Sequence, residues 1–326
     1  MTQNKKPTEL HDPFKNRGFK SIRKAISASL HQVTDGMNGR RMVYPTKWAR
    51  LNRNLLGGLQ PGKMYVIAGR PGVGKSAFSN QLIFDLLDNN IGKKLLVLYW
   101  SFEMPGYQQI LRAGSKGTNK QVGELLSVEK KLEQEEYLKF KEEVLKYGNY
   151  PVYFNSVPRD MEYIKEANVD IGNKRPDYTI VNVFDHSRLI LSNRERELEK
   201  LNEVSKGCMW MQAKMGTINI LLSQLNRNIE QEHRAKAQYQ PLLTDLFGGD
   251  SIGQDAHVVM MLQRPHDLYG ITDNYCNENP VGLLAVHMEK NRDGLLGMIP
   301  YEAEMSTLQL KKEYKNEKKK VKQQES

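Results

Sequence analysis

Eight consecutive residues carry the clearest chemistry in the chain: Gly69-Arg70-Pro71-Gly72-Val73-Gly74-Lys75-Ser76. They fit the spacing G-x-x-x-x-G-K-[ST]. Met64 to Ala68 (MYVIA) before them is apolar enough for a buried strand. Ala77 to Leu87 after them places Phe78, Leu82 and Leu86 four residues apart, as on one face of a helix. A glycine-bearing loop between a strand and a helix offers free backbone N–H groups and the positive end of the helix dipole, so it favours an anion. Glycines let the loop wrap so closely that side chains would block the ligand. The cradle runs from Gly69 through Ala77. Lys75 is placed to reach the β- and γ-phosphates of a nucleotide, and the Ser76 hydroxyl to ligate Mg²⁺. The expected ligands are therefore ATP and Mg²⁺.

Two carboxylates have positions that fit the same chemistry. Leu95 to Trp100 (LLVLYW) reads as a second buried strand, closed by Ser101-Phe102-Glu103-Met104. Glu103 would lie at the C-terminal end of a strand beside the loop, where open α/β sheets place their ligands. Tyr178 to Phe184 (YTIVNVF) is another strand and ends in Asp185, the expected second nucleotide motif, which supports Mg²⁺ through water.

The elements that must hold these residues follow from the rest of the chain. At 326 residues, 39% of them hydrophobic, the chain has enough apolar residues for a core. No apolar run approaches the roughly 18 residues of a membrane span. The polar N-terminus shows no signal-peptide core, and Cys208 and Cys276 have no metal-ligand spacing, as for reduced thiols of a cytosolic protein. The net charge of +10 is concentrated at the ends: residues 1–24 hold seven Lys/Arg against two Asp/Glu, and residues 311–326 seven Lys against three Glu. Such tails fit weak binding to a polyanion or a solvated, disordered segment equally well, so charge alone does not argue for DNA.

Residues 1–19 read as a flexible basic arm. Ile22, Ile26, Leu30 and Val33 make one apolar stripe of a short amphipathic helix over 20–34, which Asp35-Gly36 and Asn38-Gly39 end. With its hinge this linker occupies 20–40, the main domain 41–310, and a disordered basic tail 311–326. Within the main domain, 107–148 is mostly helical, Val152 to Phe154 is a short strand, and Pro158 to Asn168 a helix. Glu195 to Met215 is a helix whose apolar face is Leu198, Leu201, Val204, Cys208 and Met211; Met209 and Met211 near Trp210 are read as core. Strands follow at 217–223, 257–262 and 282–288. Residues 228–250, without clear secondary structure, are long enough to suggest a functional loop. Strands alternating with helices predict an α/β fold with a doubly wound, mostly parallel sheet.

Taken in order, GLQPGKMYVIAGRPGVGKS (58–76), SFEM (101–104), the strand ending in Asp185, LLSQLNR (221–227), SIGQDA (251–256) and KNRDG (290–294) make the chain resemble the replicative DNA helicases of the DnaB type. The resemblance covers about residues 20–310. It implies a RecA-like P-loop ATPase domain in a homo-oligomeric, hexameric ring that moves on single-stranded DNA and opens forked DNA in the cytoplasm. It implies that Glu103 activates the attacking water, Asp185 supports Mg²⁺, and Gln224 senses the γ-phosphate. Lys290 and Arg292 would reach the γ-phosphate bound by the neighbouring subunit.

The chain departs from the family in two places. The family has a helical N-terminal domain that forms a collar and recruits primase, whereas residues 1–40 precede the core here, more as in phage-encoded helicases, whose seat would be the host cytoplasm. Primase and loader contacts in their usual form are thereby put in doubt. The family also has Arg-Glu where this chain has Phe247-Gly248. Gly248 and Gly249 could offer N–H groups to phosphates and Phe247 could stack on a base. Arg188, Arg194, Arg227, Arg234 and Lys236 are the other candidate DNA contacts. A recombinase-like ATPase that forms filaments without unwinding, and an assembly protein switched by ATP, are the alternatives; Glu103 argues against the second, since a switch needs no water activator.

Overall fold

The structure, a computed structural model, describes residues 19–276 and 278–314. The chain divides into two compact units, Met1–Met42 and Val43–Ser326. In the first, α1 (Ile22–Met37) starts where the Ser21 hydroxyl accepts from the Lys24 N–H. The helix runs three residues past the expected end at 34. It continues through Asp35-Gly36 and closes only at Asn38, which bonds back to the Thr34 carbonyl through both its backbone and its side chain. Ile22, Ile26, Leu30 and Val33 are all exposed. The expected basic arm lies outside the described residues except for Phe19, and so does the expected tail from residue 315 onward.

The second unit contains, in order, α2 (Ala49–Asn54), β1 (Met64–Gly69), α3 (Lys75–Asn89), β2 (Leu95–Ser101), α4 (Gly106–Thr118), α5 (Val122–Leu125), α6 (Gln134–Leu145), β3 (Val152–Asn155) and α7 (Met161–Lys174). It continues with β4 (Thr179–Asp185), α8 (Glu197–Met215), β5 (Ile218–Gln224), α9 (Gly249–Asp255), β6 (Val258–Gln263), α10 (Pro265–Tyr269), β7 (Leu283–Asn291), β8 (Gly297–Glu304) and β9 (Gln309–Glu313). One nine-stranded sheet takes the order β3-β2-β4-β5-β1-β6-β7-β8-β9. The pairs from β3 to β6 are parallel and those from β6 to β9 antiparallel. Both faces are covered, which is why β1 and β2 are buried along their whole length. Alternate side chains of β1 enter different cores: Tyr65 and Ile67 join Phe78 and Leu82 of α3, while Met64, Val66 and Ala68 join Met161 of α7, Val204 and Cys208 of α8 and Ile252 of α9. The doubly wound α/β fold expected from the sequence is the fold observed, a RecA-like one.

Three details differ from expectation. The antiparallel strands β8 and β9 have no counterpart in the sequence reading. Pro300 inside β8 and the Lys311-Lys312 pair in β9 hide both, since proline and lysine are tolerated mainly on edge-type strands. The domain therefore reaches Glu313, whose carboxylate accepts from the Arg50 and Leu51 N–H groups, and not 310. On α8, Leu201, Val204, Cys208 and Met211 are buried as expected, but Leu198 is 65% exposed, and Met209 and Trp210 are 40% and 39% exposed. Those two are therefore not core: Trp210 lies on the surface with the Lys165 ammonium over its ring. The 228–250 stretch is built of short 3-10 turns at Arg227–Glu230, Glu232–Ala237 and Leu243–Asp245 before α9 begins. Among the described residues no helix is long and apolar enough to cross a membrane.

Candidate nucleotide site

The loop after β1 takes the shape its glycines allow. Gly74 has φ +104, which L side chains rarely adopt, and it caps α3, so the first free N–H groups of that helix face the loop. Lys75 folds over the loop and donates to the Gly69 and Arg70 carbonyls at 2.9 and 3.2 Å. Burial lowers its pKa to about 8, opposed by the charges of Asp185 and Glu103. It remains mostly protonated at neutral pH, and an anion in the loop would favour that state further.

The register of the sheet gathers the other groups. β2, β4, β5 and β1 are consecutive neighbours, so their C-terminal ends form one row. Ser101 pairs with Asp185 and Gly69 with Gln224. The Phe102 and Glu103 N–H groups donate to the Asp185 carbonyl at 3.1 and 3.3 Å, which fixes Glu103 beside Asp185. The Glu103 carboxylate is half exposed, with Oε2 3.9 Å from His186 Nε2. Asp185 is buried; burial raises its pKa to about 6, against a hydrogen bond from Ser76. Its Oδ2 is buried with no hydrogen-bond partner. A carboxylate with one oxygen on the Ser76 hydroxyl and the other unpartnered fits a hydrated divalent cation held between Ser76, Asp185 and nucleotide phosphates. The residues thus fit Mg²⁺. Among the described residues no cluster of three or more His, Cys, Asp or Glu could hold a metal alone, so phosphate oxygens must supply the remaining ligands.

Several contacts around the loop were not legible in the sequence. Arg70 lies within the expected cradle, yet it donates to the Leu225 carbonyl at 2.9 Å and pairs with Glu230 at 2.6 Å, joining the loop to the chain after β5. Arg264, beyond the end of β6, donates to the Gly72 carbonyl at 3.2 Å. His186 follows Asp185 and faces Glu103. No motif marks Arg264 or His186; only the sheet order brings them to the loop.

Lys290 and Arg292 are not part of this row. β7 runs antiparallel to β6, and Asn291 is level with Val258, which in turn is level with Tyr65. These residues therefore stand at the N-terminal edge of the parallel strands. Four residues of β1, roughly 13 Å at about 3.3 Å each, separate that level from Gly69. There Lys290 Nζ donates to the Gly253 and Gln254 carbonyls at 2.8 and 2.6 Å, and Arg292 Nη2 to the Gln254 carbonyl at 2.7 Å. Asn291 and Gly294 of the same motif shape the turn. Asn291 Nδ2 donates to the Asn54 carbonyl at 2.8 Å, and a Cβ on Gly294 would stand 1.9 Å from that oxygen.

The other candidate contacts divide. Arg188 lies over the Phe247 ring, 4.6 Å from its centroid, and pairs with Glu197 at 2.7 Å. Gly248 packs so tightly on Leu201 that a Cβ would stand 2.3 Å from Cδ1, and its φ of +71 also favours glycine. Gly249 starts α9. Arg227 and Lys236 are exposed on the 3-10 turns. Arg194 is a long 3.9 Å from Glu203 and lies in a surface groove with Trp210, away from Phe247. Arg234 makes a bidentate pair with Asp245 at 3.0 Å for both bonds, with only 12% and 3% of the side chains exposed. That pairing ties the loop together and occupies the guanidinium.

A phosphate loop followed by a row of Glu, Asp and Gln at neighbouring strand ends defines a RecA-like P-loop nucleotide-binding domain. Residues 44–312 match the model of the DnaB-like helicase C terminal domain, and the chain belongs to that family. It is similar to a probable replicative DNA helicase of Trieres chinensis, 28% identical over 255 residues, which cover 76% of this chain and 52% of that protein. The chain thus spans about half the length of that relative. Among solved structures it resembles an ATPase domain determined on its own, with a TM-score of 0.78 at 20% identity over 90% of this chain and 99% of that one. It also resembles a DnaB-like replicative helicase described with its interactions with primase, with a TM-score of 0.76 at 20% identity over 90% and 67% of the two chains.

Proposed function

We propose that this chain is the motor of an ATP-driven DNA helicase acting in replication, using Mg²⁺ and assembling as a hexameric ring in the cytoplasm, that of the host if a phage encodes it. The observation that carries the reading is the division of the catalytic groups between two edges of one sheet. Lys75, Ser76, Glu103, Asp185 and Gln224 share the edge that would receive ATP. Lys290 and Arg292 stand on the other edge, out of reach of their own loop. Two cations so placed serve phosphoryl transfer only when a second copy brings its receiving edge to them.

In such an interface Glu103 takes the proton of the attacking water and Lys75 balances charge on the β- and γ-phosphates. Arg292 and Lys290 from the neighbour stabilise the charge that spreads over the γ-phosphoryl oxygens. Gln224 faces the γ-phosphate from the end of β5. DNA contacts fall to Arg188, Phe247, Arg227 and Lys236, with the Gly248–Gly249 backbone beside them. Arg234 is left out because Asp245 holds it. Primase or a loader are partners only insofar as they engage this half of a DnaB-type protein. The exposed stripe of α1 is too short to be stable alone in water and would dock on a neighbouring copy.

Imaging with an ATP analogue and forked DNA, joined to a strand-displacement assay, tests the reading. Rings that unwind are expected, whereas filaments that hydrolyse ATP without unwinding would sink it. Removal of residues 1–34 should weaken assembly, seen by sedimentation, and leave nucleotide affinity unchanged.

A further inference from the structure

The SIGQDA motif, residues 251–256, has no part in the mechanism above, yet it touches both groups of cations. It forms most of α9 and the residue after it. Ile252 and Ala256 are fully buried in the core with Leu201 and Leu246, so the helix cannot roll. The Ser205 hydroxyl of α8, itself fully buried, donates to Asp255 Oδ2 at 2.6 Å and pins the end of the helix. The Gly253 and Gln254 carbonyls are among the last of α9, which have no partner within a helix and carry partial negative charge. Lys290 and Arg292 fill them. A carboxylate there would neutralise the cations, whereas carbonyls orient them and leave their charge for a phosphate. Toward its other end the same segment is joined to the nucleotide row: the Phe247 N–H donates to the Gln224 carbonyl at 2.9 Å, and Leu246 bridges Leu225.

We infer that α9 is the positioning element for Lys290 and Arg292, pinned by Ser205 and Asp255, and that it links the Gln224 end of a subunit's own site to the cations it lends its neighbour. The inference rests on the reading that these cations act across the interface. Ser205 and Asp255 touch no substrate; they act through the carbonyls of Gly253 and Gln254.

Mixed rings test it. Ser205→Ala should lower ring ATPase by up to about a hundredfold, the order that a small misplacement of a reacting group costs, with the affinity for a fluorescent ATP analogue unchanged. Asp255→Ala should do the same, and Asp255→Asn, which still accepts from Ser205, should keep near-normal turnover. Ser205→Ala subunits retain a sound nucleotide edge and lack only a well-aimed donor edge. Mixed with Glu103→Gln subunits they should therefore recover activity, and mixed with Arg292→Ala subunits they should not. The inverse pattern would show that Ser205 supports its own site, and overturn the inference; so would wild-type turnover by Ser205→Ala. Recovery in the control mixture of Arg292→Ala with Glu103→Gln confirms action across the interface. If subunits exchange and that control fails, the interface reading falls and takes this inference with it.

Discussion

The two edges of the central sheet are built in opposite ways. The C-terminal edge, with the phosphate loop, is electrostatically unsettled: Lys75 is buried against its own loop, Asp185 is held partly against ionisation, and one of its oxygens has no partner. The N-terminal edge, with Lys290 and Arg292, is settled. Its cations rest on helix carbonyls, Lys63 pairs with Asp293 at 2.6 Å, and Asn291 locks the turn to α2. One edge is arranged to be completed by a ligand and the other to present a finished surface. Unsatisfied groups mark where binding energy is collected, and satisfied ones mark what is offered to a partner.

That contrast can be tested by removing its parts. Lys75→Ala takes the cation from the receiving edge and should abolish ATP turnover, measured as phosphate release. Normal turnover would mean that the loop is not the nucleotide site. Arg292→Ala takes the cation from the presenting edge. It should leave ATP affinity intact and cut turnover by about 10³–10⁵; a matching loss of affinity by the same subunit would place Arg292 in its own site.

The smallest effect concerns Asp185, whose folded pKa of about 6 lies above its usual 3.8. The native state therefore holds a proton that the unfolded chain has released, between about pH 4 and 6. The stabilisation from this group is present at low pH and is lost as pH rises through about 6. Asp185→Asn should raise the nucleotide-free melting temperature at pH 7 by a few degrees and flatten its dependence over pH 4–6, while weakening Mg²⁺-dependent turnover. Unchanged melting would show that this edge holds no such strain.

Much of the receiving edge was legible because each member is local. A strand, a loop and a helix start are adjacent in the chain, and an apolar run that ends in Asp185 or before Glu103 announces a strand end. The identity of the other edge was not. KNRDG could be recognised from its letters, but its distance from Gly69 depends on β7 running antiparallel, and no local pattern encodes that direction. β8 and β9 escaped for a similar reason, since Pro300 and the Lys311-Lys312 pair are acceptable only in the strand positions that the neighbours create. Arg234 illustrates the remaining gap. A basic residue in a polar loop looks like a phosphate contact until Asp245, eleven positions on, is found holding it from both nitrogens.

Donor and acceptor on opposite edges also govern counting. Contacts between copies made this way are head-to-tail, so the assembly has a direction and no twofold axis across the interface. A closed circle completes as many sites as it has members. Opening it at one seam leaves one phosphate loop without its cations and one pair of cations without a phosphate. A break to admit a DNA strand would therefore silence a single site and leave the others able to fire.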